Sequence, residues 1–327
     1  MINGLQSVST IFVILAVGYW FTWKEKWPAD TNKAFSVAVV SIAAPALAVV
    51  SIENRFTPEL LLAAVKNIII ITITVLLMHV IGMLLAKIMK LGHDKSAVFT
   101  TTFTFNNTMF IGLPINLIVF GHDGLPYLFT YYLVTIVLFW SLGAFTLSKA
   151  AAERDMALGI EGAGSEGLGG TIKKIFSPGL IGVMIGCALA GTSTHLPIVL
   201  ETSLGYLGDA CVPLSLLVIG SNLAKTFKNG RMKITFDMVV IMIGKFAISP
   251  LLIWCGFHIF NALWPSAAVT GLPLSVFILT AALPCHAQTA IMCEYYDLES
   301  EYASNLVSLS ALISLFTIPI YATFLLH

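Results

Sequence analysis

The chain has 327 residues, 57% of them hydrophobic and 10% charged, with a formal net charge of zero. Mean hydropathy is +0.91, whereas soluble domains carry about 25% charged residues. The composition excludes an ordinary soluble domain and points to an all-α, polytopic integral membrane protein.

Stretches able to cross about 30 Å of hydrocarbon fall near 5–23, 33–53, 61–86, 96–119, 125–148, 178–194, 203–224, 234–260, 271–293 and 303–326. They predict ten transmembrane helices. The first lacks a preceding basic region and a small-residue cleavage site, so it reads as a retained span rather than a signal peptide. Basic residues concentrate in the odd-numbered loops: Lys24, Lys26 and Lys33; Lys87, Lys90 and Lys95; Lys149, Arg154, Lys173 and Lys174; Lys225, Lys228, Arg231 and Lys233. The even-numbered loops and the tails carry only Arg55. By the positive-inside rule the odd loops are cytoplasmic and both termini face outside, as in a multi-pass protein of the cell membrane.

The fourth stretch is interrupted where lipid tolerates little polarity, at Phe105-Asn106-Asn107-Thr108-Met109-Phe110-Ile111-Gly112-Leu113-Pro114. Irregular backbone at membrane depth persists only against protein or a water-filled cavity. The ninth stretch carries a second break, Ala282-Leu283-Pro284-Cys285-His286, followed by Gln288 and Thr289. A helix interrupted at the midplane exposes a half-helix N-terminus with partial positive charge and unpaired N–H groups. Two such ends meeting would form an anion site without a lysine. Asn106, Asn107 and Thr108 supply donors suited to a carboxylate, His286 and Gln288 could add to them, and Gly112 and Pro114 keep the helix open. The bland alternative is that these polar groups satisfy one another and the kinked backbone.

Titratable groups inside the spans are few. Lys245 lies mid-helix in the eighth, His79 is deep in the third, and Asp209 sits in the outer part of the seventh. No pair of carboxylates lies at midplane, which argues against a paired-aspartate antiporter and for an anionic substrate. Lys245 is a coupling or binding charge, or else it snorkels or pairs with a carbonyl end. His79 reads as a packing residue more readily than as a proton relay. Gly182 and Gly186 form a GxxxG, whose ordinary meaning is close helix packing. The five cysteines (Cys187, Cys211, Cys255, Cys285, Cys293) lie in or beside apolar segments with no CxxC pair and read as buried small hydrophobes. No Walker A, HExxH or GxSxG-in-helix signature is present, so neither an enzyme nor a cofactor or metal site is expected.

Pro114 follows Pro45 by 69 positions and Pro284 follows Pro213 by 71. With opposite insertion of two five-helix halves, 1–148 and 177–327, this spacing is what an inverted repeat leaves behind. The glycine-rich run Gly159–Gly170 in the 149–176 loop reads as a cytoplasmic linker. Its fortuitous GxGxxG at Gly162, Gly164 and Gly167 lacks the strand and helix a nucleotide site needs.

Across essentially the whole chain these residues resemble the auxin efflux carrier family, which includes bacterial malate and malonate permeases and plant PIN proteins. The resemblance rests on Ala44-Pro45-Ala46-Leu47, Asn107-Thr108 through Gly112-Leu113-Pro114, and Leu207-Gly208-Asp209-Ala210 through Pro213-Leu214. Lys245-Phe246 before Pro250 adds to it, as does Ala282-Leu283-Pro284 followed by Glu294-Tyr295-Tyr296. It implies ten helices in two inverted five-helix repeats, as in bile-acid symporters and NhaA-like folds, with broken helices 4 and 9 crossing. Helices 1, 2, 6 and 7 would form a scaffold, and helices 3–5 and 8–10 a mobile transport domain. Substrate would bind at the crossing, facing Ser51 and Ser215, and homodimers would form through the scaffold. The implied activity is elevator-type transport of small organic anions, mono- or dicarboxylates such as malate, malonate or auxin-like acids, with a proton or sodium ion as candidate coupling ion and no nucleic-acid partner. A sodium-coupled symporter of the bile-acid type and a carboxylate-binding channel or sensor are the competing readings. Two departures stand out: the third helix offers His79 where plant members carry an acid, and His286 follows the second proline.

Overall fold

The computed structural model describes residues 2–28, 30–55, 58–157, 178–192, 194–229 and 234–325. The glycine-rich run lies outside them. The molecule is helical throughout, with no strand among the described residues. In chain order the helices are α1 (Ile2–Trp23), α2 (Thr31–Ala38), α3 (Ala44–Arg55), α4 (Pro58–Ile88), α5 (His93–Thr104), α6 (Leu113–Phe120), α7 (Leu125–Leu138) and α8 (Ala144–Ala157). After the linker come α9 (Pro178–Thr192), α10 (Ile198–Asp209), α11 (Cys211–Asn229), α12 (Phe236–Ile243), α13 (Ser249–Leu263), α14 (Leu272–Ala281), α15 (Ala287–Tyr295) and α16 (Ser300–Leu325).

Among the described residues, six helical stretches are long and apolar enough to cross a membrane: Thr31–Asn54, Ala64–Ile88, His122–Ala157, Ile198–Lys225, Phe236–Leu263 and Ser300–Leu325. Phe12–Trp23, Thr108–Phe120, Pro178–Thr192 and Leu272–Ala281 are shorter apolar helices. The predicted fourth and ninth stretches are each two helices separated by non-helical backbone, at 105–107 and 282–286. The fifth extends beyond its predicted end: α8 continues through Ala157, where Ala150 and Ala151 are buried and Lys149 pairs with Glu153 one turn on.

Of the four π-turns among the described residues, Phe139–Gly143 has no proline after it, and the other three each precede one. Val39–Ala43, Thr108–Gly112 and Gly244–Ile248 each end two residues before a proline, namely Pro45, Pro114 and Pro250. A proline inside a helix lacks an N–H and its ring collides with the carbonyl four residues earlier. Inserting one residue into the turn moves that carbonyl aside without ending the helix. At Pro250 the carbonyl in question belongs to Phe246, and it takes a hydrogen bond from the Tyr321 hydroxyl at 2.6 Å instead.

Side-chain-free contacts set which helices lie together. α1 runs along α11, and α9 and α10 run along α3. A Cβ on Gly18 would lie 2.3 Å from the Leu217 carbonyl oxygen, and one on Gly220 would lie 2.0 Å from that of Leu15. The GxxxG glycines Gly182 and Gly186 are used within the chain, against Pro45 and Ile52 of α3. A second group forms around α4, which packs on α5, α7 and α13, with α5 also touching α8, α15 and α16. Hydrogen bonds between distant helices run inside these groups. Thr22 bonds Ser221 at 2.8 Å, Asn32 bonds Asn222 at 2.6 Å and Asn54 bonds Glu201 at 3.0 Å in the first. In the second, Lys66 donates to the Ala267 carbonyl at 2.7 Å and Arg154 to the Asp297 carbonyl. One part of the seam between the groups is largely apolar, with Leu15, Ile111, Ile115, Leu216, Ile219 and Ile318 around a small void of about 20 Å³.

The Gly220 contact is with backbone, which cannot swing away as a side chain can. Gly220→Val is therefore expected to lower unfolding stability by roughly 1–3 kcal/mol through overpacking. Gly205→Ala, at a site with open space, is expected to leave the melting temperature of the purified protein unchanged. Equal melting of both variants and the wild type would refute the close α1–α11 crossing.

Candidate functional site

The two breaks are joined to each other. The Asn107 N–H donates to the Pro284 carbonyl at 2.8 Å, and the His286 N–H donates to the Phe105 carbonyl at 3.1 Å. Asn106 and Cys285 thus form an isolated antiparallel bridge, a two-residue scrap of sheet inside a helical protein. It satisfies four backbone groups that helix geometry has abandoned in an apolar interior, where each unpaired group would cost a few kcal/mol. The stitch also brings four helix ends together: the C-termini of α5 and α14, and the N-termini of the Thr108–Phe120 helix and α15.

The two C-terminal ends are covered by side chains. Asn106 donates through Nδ2 to the Thr280 carbonyl at 3.2 Å and the Ala281 carbonyl at 3.0 Å, with the Tyr131 hydroxyl at 3.4 Å. Those carbonyls are the last of α14. Lys245 Nζ donates to the Phe105 carbonyl at 2.6 Å, just past α5, and to Asn106 Oδ1 at 2.5 Å. The lysine is wholly buried. It reaches the crossing because Gly244, next to it, lets its helix lie on Phe103: a Cβ there would stand 2.1 Å from the ring. Asn106, expected to hold a carboxylate, has both its donor and its acceptor occupied. The Lys245 side chain does not snorkel: its ammonium is held on the Phe105 carbonyl and the Asn106 amide oxygen.

The N-terminal ends are less occupied. Asn107 Oδ1 accepts from the Phe110 N–H at 3.2 Å, capping the turn. Thr108 is buried, with its hydroxyl 3.4 Å from the Asn106 carbonyl. Ala287 and Gln288 open α15, and among the described residues no hydrogen bond takes up their amides. Asn107, Phe110 and Ala287 line a cavity of about 450 Å³, within the size range of small-molecule sites. It runs between the two helix groups from the crossing to Asn32, Ser36, Asn222 and Lys225, near the ends of α2 and α11 that carry the basic loops. No carboxylate lines it and one lysine does.

Other predicted residues lie elsewhere. Gly112 packs under Leu283, whose Cδ1 would be 2.4 Å from an added Cβ, and Pro114 stands in the first turn of α6. Here the glycine admits the partner break, and the proline widens the turn before it. Cys285 is buried with its N–H on the Ser310 hydroxyl at 3.0 Å. The His286 ring lies 4.5 Å from that of Phe139, away from the cavity, with Nδ1 unpaired. Gln288, Ser51 and Ser215 are not on the cavity wall; both serines are buried. His79 is buried with Nδ1 3.2 Å from the Thr104 hydroxyl, which itself donates to the Thr100 carbonyl. That is a packing role. Asp209 ends α10, exposed on the protein surface.

Sequence reading missed Asn32, Ser36 and Asn222, polar residues at helix ends that look like ordinary interface positions. It also missed Tyr131, Thr280 and Ser310, single hydroxyls inside apolar helices whose partners Asn106, Asn116 and Cys285 lie 25, 164 and 25 positions away.

Paired helix breaks at the end of a cavity are an arrangement found in transporters built from discontinuous helices. The model of the membrane transport protein family matches residues 4–163 and 170–322. The chain belongs to that family, the auxin efflux carriers. An uncharacterized transporter of Methanocaldococcus jannaschii is 24% identical over 325 residues, covering 99% of both chains. Another, from Methanothermobacter thermautotrophicus, is 25% identical over 329 residues, again covering 99% of both.

Asn106→Ala removes one of two acceptors of a buried ammonium and the donor to two carbonyls. A lost hydrogen bond to a charged group costs about 1.5–3 kcal/mol, so melting in detergent is expected to fall clearly. An unchanged melting temperature would mean that Asn106 does not hold the crossing.

Proposed function

We propose that this protein is a secondary carrier of small organic anions, mono- or dicarboxylates such as malate or malonate, and that the carboxylate binds at the amide ends of the crossing. The observation that carries the reading is the division of the four helix ends. Both carbonyl ends are covered by Asn106 and Lys245, while the α15 end meets the cavity at Ala287, beside Asn107. Helix N-termini attract anions through aligned N–H groups and the helix dipole. The cavity adds Lys225 near its mouth and no opposing carboxylate.

Ten spans in two inverted halves, and alternating access by movement of one helix group against the other, fit the same observations. Helices α1–α3 and α9–α11 would be the scaffold, and α4–α8 with α12–α16 the moving part. The apolar part of the seam would favour sliding, and the breaks would travel together because the stitch lies within the moving group. With the basic loops cytoplasmic, the cavity beside Lys225 is open inward. A sodium-coupled reading has less support, since the carbonyl oxygens of the crossing already hold an ammonium.

Proteoliposomes loaded with unlabelled malate or malonate are expected to accumulate the labelled acid by counterflow, which a channel or a sensor does not do. No trans-stimulation with any small carboxylate would overturn the carrier reading. Asn107→Ala is expected to weaken binding by about 1.5–3 kcal/mol, or roughly 10- to 150-fold, measured as loss of the ligand-induced rise in melting temperature. An unchanged affinity in the folded variant would remove Asn107 from the site.

A further inference from the structure

Lys245 does something unusual for a lysine buried in an apolar helix bundle. Its ammonium is wholly buried, and no carboxylate within salt-bridge distance is found for it among the described residues. Its partners are two neutral oxygens, the Phe105 carbonyl at 2.6 Å and the Asn106 amide oxygen at 2.5 Å. Both stand at the negative, C-terminal end of α5. An unwound carbonyl and a side-chain oxygen at a half-helix C-terminus form the donor set with which discontinuous helices hold a free monovalent cation. A primary ammonium is the side chain closest to such an ion: a compact point charge with three donors and no acceptor. The local backbone is shaped for it. Lys245 sits in the widened Gly244–Ile248 turn, and the missing Cβ of Gly244 lets that turn approach Phe103 closely.

We propose that Lys245 is a tethered cation: its ammonium occupies the position a dissociable monovalent cation would take at the crossing, so that the protein needs no sodium to assemble its anion site. The ammonium balances the C-terminal end of α5, while Asn106 caps that of α14, which leaves the amide ends, on the other side of the stitch, electrostatically free for an anion. Lys245 is then a positioning residue that acts through Asn106 and Phe105 rather than by touching substrate. This rests on the proposed function in naming the anion site, but the cation's place at the crossing is testable with no substrate present.

The experiment compares the melting temperature of detergent-purified protein in choline chloride with that in sodium, methylammonium or propylammonium chloride at equal ionic strength. The wild type is expected to melt at the same temperature in all four. Lys245→Ala is expected to melt several degrees lower in choline and to recover saturably with sodium or a small primary ammonium, because a ligand that binds only the folded state stabilises it by mass action. Lys245→Met, which keeps the stem and removes the charge, is expected to be low in choline too, with little recovery. Wild-type melting that rises with sodium over choline would overturn the proposal by showing a separate sodium site. So would a Lys245→Met protein as stable as wild type in choline, or a Lys245→Ala protein equally low in every salt. If Lys245→Ala cannot be purified in choline, the wild-type and Lys245→Met arms still decide. Absence of malate or malonate binding leaves all these readings unchanged, so it counts against the proposed function alone.

Discussion

Two backbone hydrogen bonds, Asn107 to Pro284 and His286 to Phe105, are the constraint on which the rest of the structure depends. Each break alone would leave amides and carbonyls unpaired in an apolar interior, and neither would be stable. Paired, they become a fixed crossing with two helix ends of each sign. Asn106 and Lys245 absorb the carbonyl ends, so what stays open toward the cavity is positive in character. In the proposed anion carrier, selectivity for charge would thus begin as a problem of backbone satisfaction, before any substrate-specific side chain is considered.

The surrounding helices serve that crossing. Pro45, Pro114 and Pro250 each follow a widened turn, which lets a helix change direction without a further break. The Gly244–Ile248 turn delivers Lys245, and Gly112 admits Leu283 of the partner break. Glycines do a different job in the other helix group, where Gly18, Gly220, Gly182 and Gly186 bring backbones into direct contact. Without a strong hydrophobic drive between helices in lipid, such close approach is a main source of association. One group is locked by backbone contact and the other by the stitch, and a partly apolar seam lies between them.

Much of this was legible in the sequence, and the reasons are physical. Asn106-Asn107 beside Gly112 and Pro114 cannot continue a lipid-facing helix, and neither can Leu283-Pro284-Cys285, so both breaks were visible. Six of the predicted stretches hold helices long and apolar enough to cross a membrane and the other four hold shorter apolar helices, among the described residues, because apolar runs are a strong signal. The assignment of side chains within the crossing was not legible. Asn106 and Asn107 are adjacent and chemically identical, yet one turns to the carbonyls of α14 and the other lines the cavity. Which does which depends on where α14 lies. Lys245 could equally have snorkelled; only the position of Phe105 some 140 residues earlier decides it. His286 reads from sequence as a further donor at the anion site; its ring lies tilted 4.5 Å from that of Phe139, a contact no local pattern encodes. Asn32 and Asn222, bonded across 190 positions, were equally invisible.

The most direct measurement is an experimental structure of the protein in lipid nanodiscs with malonate or malate at saturating concentration. A carboxylate is expected within hydrogen-bond reach of the Ala287 and Gln288 amides and the Asn107 side chain, with Lys245 still on Phe105 and Asn106. An acid bound to Lys245, or held only by Lys225 at the mouth with the α15 amides untouched, would contradict the division of helix ends.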